Sequence, residues 1–289
     1  MVKRTRFVLG SIVLLCLLSC VVVRPIAAAE KRTAVSADSV EIVFSTEGTG
    51  SPALLFVHGW SCDRSYWKNQ IAEFAKSYPV VTVDLGGHGE SGLDRKDWTV
   101  EAFGKDVAAV VETLGLDRVV LIGQSMGGAV IFEAARLVPD RVVALVGVDT
   151  YQDLEREIGD DARAQFLAAF RTDFVATTKS FVRGMFPAGA DTALVDAVAA
   201  DMAAAPPEVA VSALENVFEY KARGKLEGLK IPVYAINADL YPTNLEAGKR
   251  QTYSFEVKII PGRGHFPMLE DPATFNKLLA ETIAEIVKK

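Results

Sequence analysis

The sequence predicts an α/β fold: a doubly wound, mostly parallel sheet interrupted once by a small helical cap. Three observations carry that prediction. Short apolar runs rich in β-branched residues recur along the chain, too continuous for strands with one wet face. Segments with apolar residues three and four apart lie between them, the alternation that builds parallel sheets through right-handed crossovers. That alternation stops between residues 150 and 225, where only helical spacing remains, and resumes afterwards.

The chain opens with Lys3, Arg4 and Arg6, an almost unbroken apolar run over residues 7–23, and Ala27-Ala28-Ala29 before Glu30. Basic, apolar and small-residue segments in this order mark a secretory signal peptide, cut after Ala29. Two other fates fit the same stretch. Cys20 in L-L-S-C resembles a lipoprotein cleavage site, and about 17 apolar residues are the shortest that span a bilayer as a retained anchor. All three export the globular part, to the periplasm or beyond. Residues 1–29 hold four basic residues and no acidic one, so the remaining 260 carry 27 basic against 37 acidic side chains, a net charge of −10. That balance argues against nucleic acid or an anionic membrane surface as a partner, since both require clustered Lys and Arg. Cys62 is the lone cysteine after the leader, so the fold needs a large core in place of disulfides.

Residues 39–46 alternate as an edge strand does, and G-T-G-S-P is a turn cluster. Residues 53–57 and 79–84 are buried strands with helical spacing between them at residues 66–77. A helix starts at Thr99, residues 117–124 form a strand, and residues 141–148 another. Residues 30–149 and 226–289 thus form the core, and residues 150–225 the cap, which carries 12 acidic and 8 basic residues and is no basic groove. After the cap come a strand at 231–238, a helix begun by the capping box Thr243-x-x-Glu246, a strand at 255–260 and a closing helix from Asp271.

The strand at 117–124 runs into Gly123-Gln124-Ser125-Met126-Gly127 and then directly into helical sequence. A G-x-S-x-G turn between strand and helix is a nucleophile elbow: it strains the serine backbone and presents the hydroxyl, with glycines where side chains would collide. H-G-W-S follows an earlier strand, D-L-G-G-H-G-E-S the next, and G-R-G-H-F-P-M-L-E-D-P the last. With these motifs in this order the chain resembles the alpha/beta-hydrolase superfamily, in its serine-nucleophile esterase and lactonase branch, over residues 39–289 outside the cap.

The resemblance implies Ser125 as nucleophile and His265 as its base, with His58 structural and His88 in a packing role. The oxyanion formed when Ser125 attacks a carbonyl needs two N–H donors, which fall to the backbones of Met126 and Trp60. The Trp60 ring is expected to line the pocket. The acid departs from the family pattern. Aligned from Pro232, the usual position falls on Tyr241, which cannot serve. Asp239, two residues earlier, is the expected acid, and Asp149, ending the strand after the elbow helix, is the alternative.

The implied activity is hydrolysis of carboxylic esters of small-to-medium apolar acyl compounds through an acyl-enzyme. Lactones, thioesters, peracid formation and carbon–carbon cleavage fit the same machinery. A non-catalytic binding protein on the hydrolase fold is the other class. No cofactor is implied, and no metal, because the three histidines lie in separate loops without H-x-x-x-H or C-x-x-C spacing.

Overall fold

The computed structural model describes Val2 and residues 30–288; apart from Val2, the expected signal segment, Cys20 and Ala29 included, lies outside the described residues. Eight strands form one sheet. In chain order they are β1 (Glu30–Val35), β2 (Glu41–Glu47), β3 (Ala53–Val57), β4 (Val80–Val83), β5 (Val119–Gln124), β6 (Val142–Val148), β7 (Val233–Ala238) and β8 (Phe255–Ile260). Their spatial order is β1-β2-β4-β3-β5-β6-β7-β8. The first two pairings are antiparallel and the rest parallel.

The segment read as an edge strand is therefore the second strand, not the outermost. β1 covers it, pairing Ala34 with Ile42 and Arg32 with Phe44. Its sequence, E-K-R-T-A-V, has too few apolar positions to announce a strand; the partner it pairs with supplies the order. By contrast β3 and β5 are buried at every residue, as their unbroken apolar runs require.

The helices are α1 (Lys68–Phe74), α2 (Val100–Thr113), α3 (Met126–Leu137), α4 (Asp160–Thr172), α5 (Phe174–Arg183), α6 (Thr192–Met202), α7 (Pro207–Glu219), α8 (Leu245–Gln251), α9 (Pro267–Glu270) and α10 (Pro272–Lys288). α2 packs on α3 and α1 on α10, the two pairs flanking the sheet. Thr99 caps α2 by accepting the Ala102 N–H at 3.1 Å. α8 begins one residue later than the capping box proposes: Asn244 accepts the Ala247 N–H at 3.1 Å, while Thr243 Oγ1 accepts from Asn237 instead. No single helix among the described residues is long and apolar enough to cross a membrane.

Helices α4 to α7 lie between β6 and β7. Their amphipathic faces meet over a cluster of rings in which Phe166 packs against Phe170, Phe181 and Phe218. The cap is tied to the core where Tyr66 donates to Asp201 at 2.7 Å and Tyr220 to Glu133 at 2.9 Å.

Register brings the motifs together. β3 and β5 are neighbours although not consecutive, with Val57 opposite Gly123. That reversal of strand order is the crevice in which ligands of open α/β sheets bind. Gln124 then lies opposite Val148, and Val148 opposite Ile236. One or two residues past these rungs stand Gly59, Ser125 and Asp149.

Candidate active site

Ser125 sits at the tip of the elbow with φ 52° and ψ −117°, a backbone that costs a non-glycine residue free energy and persists only when its surroundings hold it. Its N–H donates to Val148 O at 3.1 Å and its carbonyl accepts from Gly128 at 2.9 Å. The turn is tight enough that a Cβ on Gly123 would lie 2.2 Å from Gly127 O. α3 begins at the next residue, so the positive end of its dipole lies beside Ser125. Neither the Met126 N–H nor the Trp60 N–H has an acceptor among the described residues.

His265 reaches the site from beyond β8, and three bonds orient it. Its N–H donates to Met185 O of the cap at 2.9 Å, its carbonyl accepts from Gln124 Nε2 at 3.0 Å, and its ring Nδ1 lies 2.5 Å from Asp149 Oδ2. Nδ1 therefore carries the proton shared with the carboxylate, which leaves Nε2 as the ring's acceptor. Glu270 steadies the same loop, accepting the N–H groups of Gly264 at 2.9 Å and Phe266 at 3.0 Å. Burial pushes the Glu270 carboxyl above its ordinary range, against those bonds.

Asp149 is buried and itself left-handed, with φ 43°. Its N–H donates to Ile236 O, and its second oxygen accepts the Ala238 N–H at 2.9 Å. Asn237, wholly buried on β7, accepts the Thr150 N–H at 3.2 Å through Oδ1 and donates to Thr243 through Nδ2. Tyr151, also at positive φ, stacks on Phe132 at 4.5 Å and donates to Gly128 O at 2.7 Å. The strained turn after β6 is thus held by β7 on one side and the elbow helix on the other.

Ser125, Asp149 and His265 line one cavity of about 840 Å³. Met126, Ala129, Leu154, Ile158, Val217 and Phe218 supply apolar wall, and the charged side chains of Arg156, Glu157 and Arg163 stand among its lining residues. With Asp153, Asp160, Glu219 and Lys221 also in the lining, the cleft mixes apolar wall with many charged groups, and its volume is that of a small-molecule site. Among the described residues no cluster of three or more His, Cys, Asp or Glu is placed to hold a metal ion.

A model of the alpha/beta hydrolase family matches residues 54–278. The chain belongs to that family. It is 27% identical over 254 residues to a pimeloyl-[acyl-carrier protein] methyl ester esterase of Pectobacterium carotovorum, a match covering 82% of this chain and 96% of the relative. It is 27% identical over 252 residues to 3-oxoadipate enol-lactonase 2 of Acinetobacter baylyi, covering 85% and 94%. Its fold superposes on a thermophilic esterase from Thermogutta terrifontis with a TM-score of 0.77 at 26% identity, covering 89% and 99%. These relatives are hydrolases of esters and lactones, and they support the same broad class for this alpha/beta hydrolase.

Two expectations from the sequence need correction in this hydrolase. Asp239, the expected partner of His265, is exposed and accepts the Gly262 N–H at 2.7 Å; it shapes the loop that carries His265 but does not pair with the ring. The loop passes inward from β8 as far as β6, because Gln124 and Met185 fix the His265 backbone there, and the ring meets Asp149. The Trp60 ring, expected in the pocket wall, is not among the cavity's lining residues. It is buried under the cap, donating from Nε1 to Ala210 O at 2.6 Å.

The other two histidines are held by backbone. His58 donates from Nδ1 to Gly59 O at 2.8 Å and accepts the Leu85 N–H at 3.0 Å, and burial pushes its pKa down to about 4. His88 contacts Gly86 O at 3.0 Å through Nδ1, and burial, with His58 beside it, pushes it down to about 3. Burial raises the Cys62 thiol, which stays protonated against Trp60 O.

Gln124, Asn237 and Glu270 went unread in the sequence. Gln124 had a signal, as the variable residue of G-Q-S-M-G: its Nε2 holds the histidine loop, and its Oε1 packs so close to Gly59 that a Cβ there would fall 2.1 Å away. Asn237 and Glu270 have none, since both act on backbone that is distant or folded back on itself.

Proposed function

We propose that this chain is an exported serine hydrolase of carboxylic esters, acting on small-to-medium apolar acyl compounds. One observation carries the reading: the Nδ1 of His265 rests on the buried carboxylate of Asp149 at 2.5 Å, in a cavity that the strained Ser125 also lines. In this reading Ser125 Oγ attacks the ester carbonyl and gives its proton to His265 Nε2. The imidazolium that forms is stabilised by Asp149, which keeps its own charge. The tetrahedral oxyanion takes the N–H groups of Trp60 and Met126; one such donor is worth roughly 10²- to 10³-fold in turnover. The carbon–oxygen bond to the alcohol then breaks, and His265 returns the proton to the leaving oxygen. Water repeats the sequence on the acyl-enzyme: His265 removes its proton, the acid departs, and Ser125 regains its hydrogen.

Lactones follow the same steps with the leaving alcohol tethered to the acyl group. The methyl esterase and the enol-lactonase among the relatives support both substrate classes, and the side chains of Met126, Ala129, Val217 and Phe218 in the lining offer contacts to an apolar acyl or ring group. Residues 1–29 supply the export signal in this proposal, with cleavage after Ala29 read out by mass spectrometry of the exported protein.

The deciding experiment is hydrolysis of p-nitrophenyl esters from acetate to palmitate, then of lactones, by residues 30–289 and by Ser125→Ala. Turnover by the parent alone supports the reading, and the chain-length optimum measures the cavity. If no ester or lactone is turned over and a fluorophosphonate leaves Ser125 unlabelled, the protein is a binder on a hydrolase fold.

A further inference from the structure

We propose that the cap positions the oxyanion donors of this enzyme through the side chain of Trp60, so that the cap governs turnover as well as substrate fit. The inference rests on the serine-hydrolase reading above. Trp60 occupies two places at once. Its backbone N–H stands in the loop after β3, next to Gly59, where a Cβ would lie 3.3 Å from Ser125 Cβ, while its ring crosses into the cap. There Nε1 donates to Ala210 O in α7 at 2.6 Å, and Phe170, Phe174 and Phe181 meet it edge-on at 5.6, 6.3 and 6.1 Å. None of these four rings lines the cavity that holds Ser125. A side chain so buried, yet outside the substrate's reach, acts on the reaction only through the backbone it carries.

The backbone there needs holding. Ser61, the next residue, has φ 54°, a left-handed conformation that a serine adopts only under constraint. The loop has a second tie to the cap through Tyr66 and Asp201. The carbonyl of the same Gly59–Trp60 peptide accepts from His58 Nδ1 at 2.8 Å and from the Cys62 N–H at 3.3 Å. Release of the Trp60 anchor, with Ser61 relaxing toward negative φ, therefore tilts the donor N–H off the oxyanion about those bonds. The cap grips the opposite side of the site as well, since Met185 O accepts the His265 N–H. The cap thus clamps both loops.

The test compares Trp60→Phe, which keeps a ring and loses the Nε1 donor, with Phe174→Leu, which loosens the anchor from the cap side. Phe218→Leu, in the cavity wall, is the contrast. Measured are kcat and KM for p-nitrophenyl butyrate, the Ki of an alkylboronic acid that mimics the tetrahedral oxyanion, and circular-dichroism melting curves. A displaced donor keeps part of its effect, so Trp60→Phe is expected to lower kcat about 10- to 100-fold and to weaken the boronate by a similar factor. KM should stay within about threefold, because ground-state contacts are untouched. Phe174→Leu should move the same two quantities in the same direction, and Phe218→Leu mainly KM. Either anchor variant suffices if the other does not fold. Folded anchor variants with kcat and boronate affinity within about twofold of the parent overturn the inference and leave the serine-hydrolase reading standing. A parent enzyme that neither turns over ester nor reacts with fluorophosphonate overturns both.

Discussion

Replacing Asp149 by Asn tests the proposed triad at the point where sequence and structure part. The change is nearly isosteric, and the Asn oxygen can still accept the Ala238 N–H that Asp149 Oδ1 now accepts at 2.9 Å, so the fold is expected to survive. The amide nitrogen then faces His265 Nδ1, 2.5 Å from the present Oδ2. A donor there forces Nδ1 to become the acceptor and moves the ring proton to Nε2. Nε2 is the atom that must accept the Ser125 proton, and in that tautomer it has no free lone pair. Analogous changes in other triads lower turnover ~10⁴-fold, which at about 1.4 kcal/mol per decade is a loss of roughly 5.5 kcal/mol of transition-state stabilisation. Asp239→Asn should behave differently. Asp239 is exposed and bonds only the Gly262 N–H among the described residues, which the Asn oxygen can also accept, so kcat should stay within about threefold. The assay is steady-state hydrolysis of p-nitrophenyl butyrate by both variants beside the parent, with melting curves to confirm folding. The reasoning fails if Asp239→Asn is the inactive variant, or if Asp149→Asn retains more than a few per cent of parental kcat.

Three further outcomes follow from the same structure. Gly123→Ala puts a Cβ 2.2 Å from a backbone oxygen and 2.5 Å from a backbone carbon, neither the end of a flexible side chain, so urea unfolding should show a loss of about 3 kcal/mol or more. Gln124→Leu leaves the His265 carbonyl without its 3.0 Å donor; stability should fall by about 1–3 kcal/mol and kcat by about tenfold, as the ring loses its fixed place, whereas an unchanged kcat would remove Gln124 from the positioning role. Stability should also decline as pH falls from 6.5 toward 4. The folded pKa values of His58 and His88 lie at about 4 and about 3, below the unfolded value near 6.5, so the unfolded chain binds more protons in that window. About two protons should be taken up on unfolding at pH 5, a slope of roughly 1.4 kcal/mol per pH unit for each histidine; denaturant midpoints that stay level from pH 7 to 5 would refute it.

The strands that set the sheet were legible because their burial is written into consecutive residues. Val119–Gln124 and Ala53–Val57 are apolar throughout, and each is buried throughout. Elements whose order comes from a partner were harder to read. β1 opens with Glu, Lys and Arg and exists as a strand through its pairing with β2. The start of α8 moved from Thr243 to Asn244 because Asn237, on a neighbouring strand, engages the threonine hydroxyl.

The site divides along the same line. Ser125 and the glycines around it are dictated locally, since one tight turn between a strand and a helix demands both the small residues and the strain. The fold class and the place of His265 after the last strand follow from the order of motifs along the chain. Which carboxylate meets that histidine is not a local property: Asp149 and His265 stand 116 positions apart, joined at a distance set by the β6–β7 register and by Gln124 and Met185 holding the loop inward. Trp60 divides within a single residue. Its backbone position was readable from H-G-W-S, but its ring went to a carbonyl 150 positions away in the cap. Sequence alone determined what short-range sterics and periodic burial dictate. Tertiary structure alone decided the pairings between distant segments, because there the partner is chosen by the packing of everything in between.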